Sequence, residues 1–150
     1  MANVINIEGA SVGFRNFEGR EGMYNKEGDR SFVVFLDNEM ADDLSRQGWN
    51  VKYPKGNDNI NPEEDDRNPF IQVTVGFEYY PANVFLISNE KVNRLSEEEV
   101  SMLDWAEIEH VDLVIRPYTW SVNGSSGIKA YLKSGYFTIV TDAFAEKYGV

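Results

Sequence analysis

Apolar and polar positions alternate with a period of two along much of this chain, the pattern of strands buried on one face. In "FIQVTVGFE" (Phe70–Glu78), Ile71, Val73, Val75 and Phe77 fall on one side, and Phe70, Gln72, Thr74 and Gly76 on the other. "SFVVFL" (Ser31–Leu36) is a nearly continuous apolar run, and "WNVKY" (Trp49–Tyr53) and "NVFLIS" (Asn83–Ser88) are short strand patterns. "VINIEGASVGFRNF" (Val4–Phe17) is strand-like, with Gly9 and Gly13 placed to bend or bulge it. Helical spacing is confined to two places. After Asp37 or Asn38 as cap, Met40 and Leu44 share a face and Gly48 stops the helix. "SEEEVSMLDWAEI" opens with a capping box, Ser96 and Glu99. "DAFAEKYGV" at the end of the chain has room for one last helical turn. Six to eight strands with two short helices predict a mainly β domain over 1–150, a barrel or sandwich with helical insertions.

The longest pattern is a hairpin. In "HVDLVIRPYTWSV", Val111, Leu113 and Ile115 alternate with Val114, Arg116, Tyr118 and Trp120. In "GIKAYLKSG", Ile128, Ala130 and Leu132 alternate with Lys129, Tyr131 and Lys133. Each strand thus has an aliphatic face and a face of rings and cations. A four-residue loop, Gly124–Gly127, sets Trp120 opposite Tyr131 and Tyr118 opposite Lys133, so that like faces coincide.

Charge sharpens this picture. The 150 residues carry a formal charge of −11, yet Leu113–Thr141 contains no Asp or Glu. Asp37–Asp112 holds 18 acids against six Lys and Arg. Such a surface repels duplex DNA over most of its area but leaves room for a local cationic groove. Exposed rings flanked by cations suit single-stranded nucleic acid, whose unpaired bases stack at about 1–3 kcal/mol each. Half-buried packing rings under Lys stems are the competing reading of the same pattern. "PKGNDNINPEEDDRNP" (Pro54–Pro69) is too polar to pack and predicts a mobile acidic surface loop.

Three quoted stretches, "GASVGFRNFEGREGMYN", "HVDLVIRPYTWSVNG" and "GIKAYLKSGYFTI", together with "FLDNEMADDLSRQGWNVKY" between them, resemble the small phage-encoded single-stranded DNA-binding proteins with an OB-fold. The resemblance implies an OB-fold-like five-stranded barrel, here with extra strands and two short helices. It implies no enzyme activity and a role in phage replication or recombination, coating transient single strands in the bacterial host cytoplasm. It places nucleic-acid contacts on Phe14, Arg15 and Phe17 of the first strand, and on Arg116, Tyr118, Trp120, Lys129, Tyr131 and Lys133 of the hairpin. Phage or host replication and recombination proteins, and further copies of the chain, are the protein partners it suggests.

Other chemistry finds little support. His110 is the only histidine and there is no cysteine, so neither a histidine-based metal cluster nor a thiolate site is expected. No nucleophile, base and orienter can be assembled, and no catalytic residue or cofactor is assigned. In "NDNINPEEDD", Pro62 replaces the glycine a calcium loop needs. The N-terminus lacks the basic and apolar regions of a signal peptide, and no apolar run is long enough to span a membrane. Two functions from different classes remain: a sequence-tolerant binder of single strands, or an acidic protein-interaction module that mimics DNA toward a host DNA-binding protein.

Overall fold

The computed structural model describes residues 3–23, 25–55, 61, 63–64 and 66–140. Among them are nine strands: β1 (Ile5–Ile7), β2 (Ser11–Asn16), β3 (Arg30–Phe35), β4 (Val51–Lys52), β5 (Phe70–Val75), β6 (Asn83–Ser88), β7 (Lys91–Leu95), β8 (Ile108–Val122) and β9 (Ser125–Ile139). One α-helix, α1 (Asn38–Arg46), and one 3₁₀ turn (Val100–Asp104) complete the set. None of these helices is long and apolar enough to cross a membrane.

The strands form one sheet in the order β1-β8-β9-β5-β3-β2, with β4 added to β5 and the β6–β7 pair added to β9. The pairings β5–β9 and β6–β9 are parallel and the rest antiparallel. The architecture is mainly β and OB-like, as expected, with a sheet that is not closed. The two ends of the path, β1 and β2, are consecutive in the chain and share no ladder. Around Gly9 the chain passes from pairing with β8 to pairing with β3, and the Ala10 N–H donates to the Val111 carbonyl at 2.7 Å. The second expected helix is only the 3₁₀ turn, because Trp105 and the strand residues after it claim the chain.

One apolar cluster fills the inside of the curved sheet. Phe17 stacks on Phe32 at 5.3 Å and meets Phe137 edge-on at 5.5 Å, with Val34, Val73, Leu103 and Leu113 packed around them. The aliphatic faces of β8 and β9 point here: Val111, Leu113, Ile115, Ile128, Ala130 and Leu132 are all buried. α1 covers one end. Asp37 accepts the Met40 N–H at 2.7 Å as cap, Ala41 and Leu44 are buried, and Gly48 leaves the helix at φ 101°. Its carbonyl then accepts the Ile128 N–H at 2.9 Å, which ties the helix exit to β9.

The β8–β9 connection differs from the four-residue loop. It is a two-residue turn, Asn123–Gly124, with φ of 49° and 83° and Val122 paired to Ser125. Positive φ at both positions is what the tight hairpin turn requires, and Asn-Gly supplies it at low cost. Trp120 therefore faces Gly127, Tyr118 faces Lys129 and Arg116 faces Tyr131. The register moves by an even number of residues, so the ring-and-cation faces still coincide. Farther along, the pairing shifts between Val114 and Ile115. Buried positions on β9 switch there from Ile128, Ala130 and Leu132 to Gly135 and Phe137, which leaves Lys133 as the extra residue of a bulge. Of the predicted acidic loop 54–69, residues 56–60, 62 and 65 lie outside the described set. The expected terminal turn at 142–150 lies outside it too.

Candidate nucleic-acid interface

The outer face of β8, β9, β5 and β3 carries an open groove of about 370 Å³. Trp120, Lys129 and Tyr131 line it from the hairpin, and Gln72 and Thr74 from β5. Ser31 and Arg30 come from β3, Asn25 and Asp29 from the preceding loop, and Asn50 from the link between α1 and β4. The ladders dictate this grouping. Thr74 pairs with Tyr131 and with Ser31, while Val33 pairs with Gln72 and with Gly13. Outward positions of five strands thus form continuous rows.

At one end the Trp120 indole lies flat over Gly127, where a Cβ would come within 2.9 Å of the ring. Trp120 keeps 36% of its surface exposed and Tyr118 is exposed beside it. Tyr118 meets Tyr131 edge-on at 5.7 Å, and Lys129 Nζ sits 5.3 Å from the Tyr131 centroid. The Arg116 guanidinium carbon lies 4.4 Å from the Tyr80 ring centroid and 5.8 Å from that of Tyr131. A guanidinium held over a ring is oriented by the quadrupole and keeps its N–H groups for an anion.

The predicted contacts sort into three groups. Arg116, Tyr118, Trp120, Lys129 and Tyr131 are brought together, with Lys133 exposed on the adjoining bulge. Phe14 also reaches the outer face, at the far edge. It is 77% exposed and stands at φ 46° where the β2–β3 register shifts, its ring 6.3 Å from Phe35. Arg15 and Phe17 do not reach this face, contrary to the expectation. Arg15 Nη1 donates to the Leu103 and Ala106 carbonyls at 2.6 and 2.8 Å, capping the end of the 3₁₀ turn. Phe17 is fully buried among rings, with no face left for a base.

Several exposed rings escaped the sequence reading, Tyr79 and Tyr80 among them. Tyr79 and Tyr80 are 93% and 73% exposed in a loop closed by the Ala82 N–H to Gly76 carbonyl bond at 2.8 Å. In "YYPA" the adjacent tyrosines read as turn residues; the placement of Tyr80 beside Arg116 is set by the fold, which no local pattern encodes.

Charge pairing divides the arginines into two groups. Arg20, Arg30 and Arg46 are paired with carboxylates, Arg15 with carbonyls, and Arg67 with the Pro54 carbonyl. Among the described residues, Arg116 and Arg94 are the arginines with neither hydrogen bond nor ion pair. An unpaired cation on an acidic protein is available to an incoming anion. His110 contacts Asp112 through Nε2 at 2.9 Å, and among the described residues no three His, Asp or Glu side chains could hold a metal ion.

Residues 2–150 match the family described as "Putative phage ssDNA-binding domain". Among solved structures, the fold is similar to a single-stranded DNA-binding protein from bacteriophage Enc34 in complex with ssDNA. The TM-score is 0.58 at 14% identity, over 94% of this chain and 89% of that one. The same phage protein in a second structure gives a TM-score of 0.55 at 15% identity, over 95% and 84%. No curated protein matches the chain in sequence.

Proposed function

We propose, from the premise that this chain belongs to the phage ssDNA-binding domain family, that it binds single-stranded DNA across the groove on its outer face. Membership places it among binding proteins and not among enzymes. Bases stack on Trp120, Tyr118 and Tyr131, and phosphates meet Lys129, Arg116 and Lys133. Phe14 and Tyr80 extend the contact at the two margins. One observation supports this most strongly: in a protein whose charge is −11, the acid-free stretch Leu113–Thr141 brings the exposed rings of Tyr118 and Trp120 together with Lys129 and the unpaired Arg116 on one face. Ring stacking accepts any base, so the binding is sequence-tolerant.

Such a protein coats single strands exposed during phage DNA replication or recombination in the host cytoplasm. The Enc34 protein, of similar fold, is described in complex with ssDNA. Titration of labelled single-stranded and duplex oligonucleotides at two salt concentrations tests the reading. Tight binding to single strands and weak binding to duplex is the expected result. Equal affinity for both, or no binding to single strands near physiological salt, overturns it and returns the DNA-mimic reading.

A further inference from the structure

Past the bulge at Lys133, the outer face of β9 carries a second set of rings. Tyr136 is exposed there, paired on one side with Asp112 of β8 and on the other with Phe85 of β6. Its ring stacks on Phe85 at 5.0 Å with only 10° between planes. Arg94 of β7 stands directly opposite Phe85. One row across four strands therefore reads Arg94, Phe85, Tyr136, Asp112.

We propose that this row is a second binding platform for single-stranded DNA, which takes a base against Tyr136 and Phe85 and a phosphate at Arg94. The inference rests on the groove being a single-stranded DNA site, and it lengthens the strand's path beyond that groove. Three observations carry it. The first is the cation: the Arg94 side chain, like that of Arg116, has no hydrogen bond or ion pair among the described residues, although Glu97 and Glu99 line the same pocket. The second is continuity. Tyr136 lies five residues from Tyr131 on one strand, about 16 Å at ~3.3 Å per residue. At the ~3.4 Å per nucleotide of a stacked strand, that gap needs no more than about five nucleotides. The third is the ground between. Lys133 projects there and β9 contributes no acid, so a phosphate backbone crosses no repulsive residue of that strand. The acid in the row, Asp112, is already engaged, accepting from the Gly9 N–H at 3.0 Å and contacting His110 Nε2 at 2.9 Å.

Val92 is exposed opposite Ile87 in the next row, so an apolar protein partner is the rival occupant of the same face. Oligonucleotide length separates the two. The chain and its Arg94→Ala and Tyr136→Leu variants are titrated with oligothymidylates of about 6 and about 15 nucleotides, within the span of known OB-fold site sizes. The unsubstituted chain should bind the longer strand more tightly. Each variant should lose about 5-fold or more on the longer strand and less than about 2-fold on the shorter, the scale of one stacked base or one phosphate. Unchanged affinity for the longer strand, or the same loss at both lengths, overturns the proposal. Arg94 is exposed and outside the core, so its variant keeps the test open if Tyr136→Leu folds poorly. Trp120→Ala is the control for the groove itself. It should weaken both lengths, and if it weakens neither, the groove reading fails separately from the platform.

Discussion

At the residue scale, the groove makes different demands on Trp120 and Phe14. Trp120 is part exposed and rests on Gly127 rather than on the core. Trp120→Ala should weaken single-stranded DNA binding by roughly 1–3 kcal/mol. It should change unfolding free energy by less than about 1 kcal/mol, as surface substitutions do. A binding titration and a denaturant melt of one variant check both halves, and a large loss of stability with intact affinity would mark the indole as packing. Phe14 holds a left-handed backbone, which costs a side-chain-bearing residue about 1–2 kcal/mol, and its ring gains little from burial. Phe14→Gly should therefore raise stability by on the order of 1 kcal/mol while lowering affinity for single strands. Loss of both would show that the ring holds β2 in place. Alternation along the hairpin made the six candidate positions there legible in the sequence. Phe14, Arg15 and Phe17 came from resemblance alone, and there burial decided. Phe14 and Phe17 are three apart, and the register shift between Gly13 and Asn16 turns one outward while the other enters the core.

At the element scale, local chemistry was readable where it closes within a few residues. Half of the capping box is present: the Ser96 N–H donates to Glu99 Oε1 at 2.9 Å, while the Glu99 N–H goes to the Ser96 carbonyl. These Ser96 hydrogen bonds hold the Glu99 carboxyl below the usual carboxylate range. Its ionised form is thus favoured in the folded state. The resulting stabilisation is full above the ordinary carboxylate pKa and is lost as pH falls through the lower, folded value. Glu99→Gln should flatten the acid side of the stability–pH curve, small in size because the group is exposed, and denaturant melts across that range read it. An unaltered curve would mean the bond does not persist in solution. The capping box did not say how far the helix would run, and tertiary competition ended it after one 3₁₀ turn. The hairpin turn was misjudged for a related reason. "NGSSG" offers glycines at both ends, and only Asn123 and Gly124 with positive φ let the ladder run on to Val122 and Ser125. The bulge at Lys133 left no mark in the local pattern, yet it keeps Tyr136 on the outer face after the alternation changes phase.

At the scale of the whole molecule, function depends on a contrast between one face and the remainder. The strand order that gathers β3, β5, β8 and β9 is set by long-range pairing, so neither the groove nor the position of Tyr80 over Arg116 could be read from neighbours in sequence. The charge contrast could be, since Leu113–Thr141 is free of acid in a chain of −11. Its consequence is measurable. A protein that neutralises Z phosphates of a single strand loses affinity with a log–log salt slope of about −0.7Z. With Arg116, Lys129 and Lys133 meeting phosphates as proposed, a short oligonucleotide should give a slope of about −2. If a longer strand also engages Arg94, the slope should steepen by roughly 0.7. Duplex DNA cannot offer unpaired bases to the rings, and its stiff, denser charge meets the acidic remainder within a Debye length of about 8–10 Å. Its affinity should fall below that of single strands at every salt concentration, with the gap widest at low salt, where the acids are least screened. Fluorescence titrations at four or more salt concentrations give both slopes. A slope that does not change with oligonucleotide length would confine the strand to the groove, and a duplex that binds as tightly as a single strand would show that the acidic surface lies too far from the path to matter.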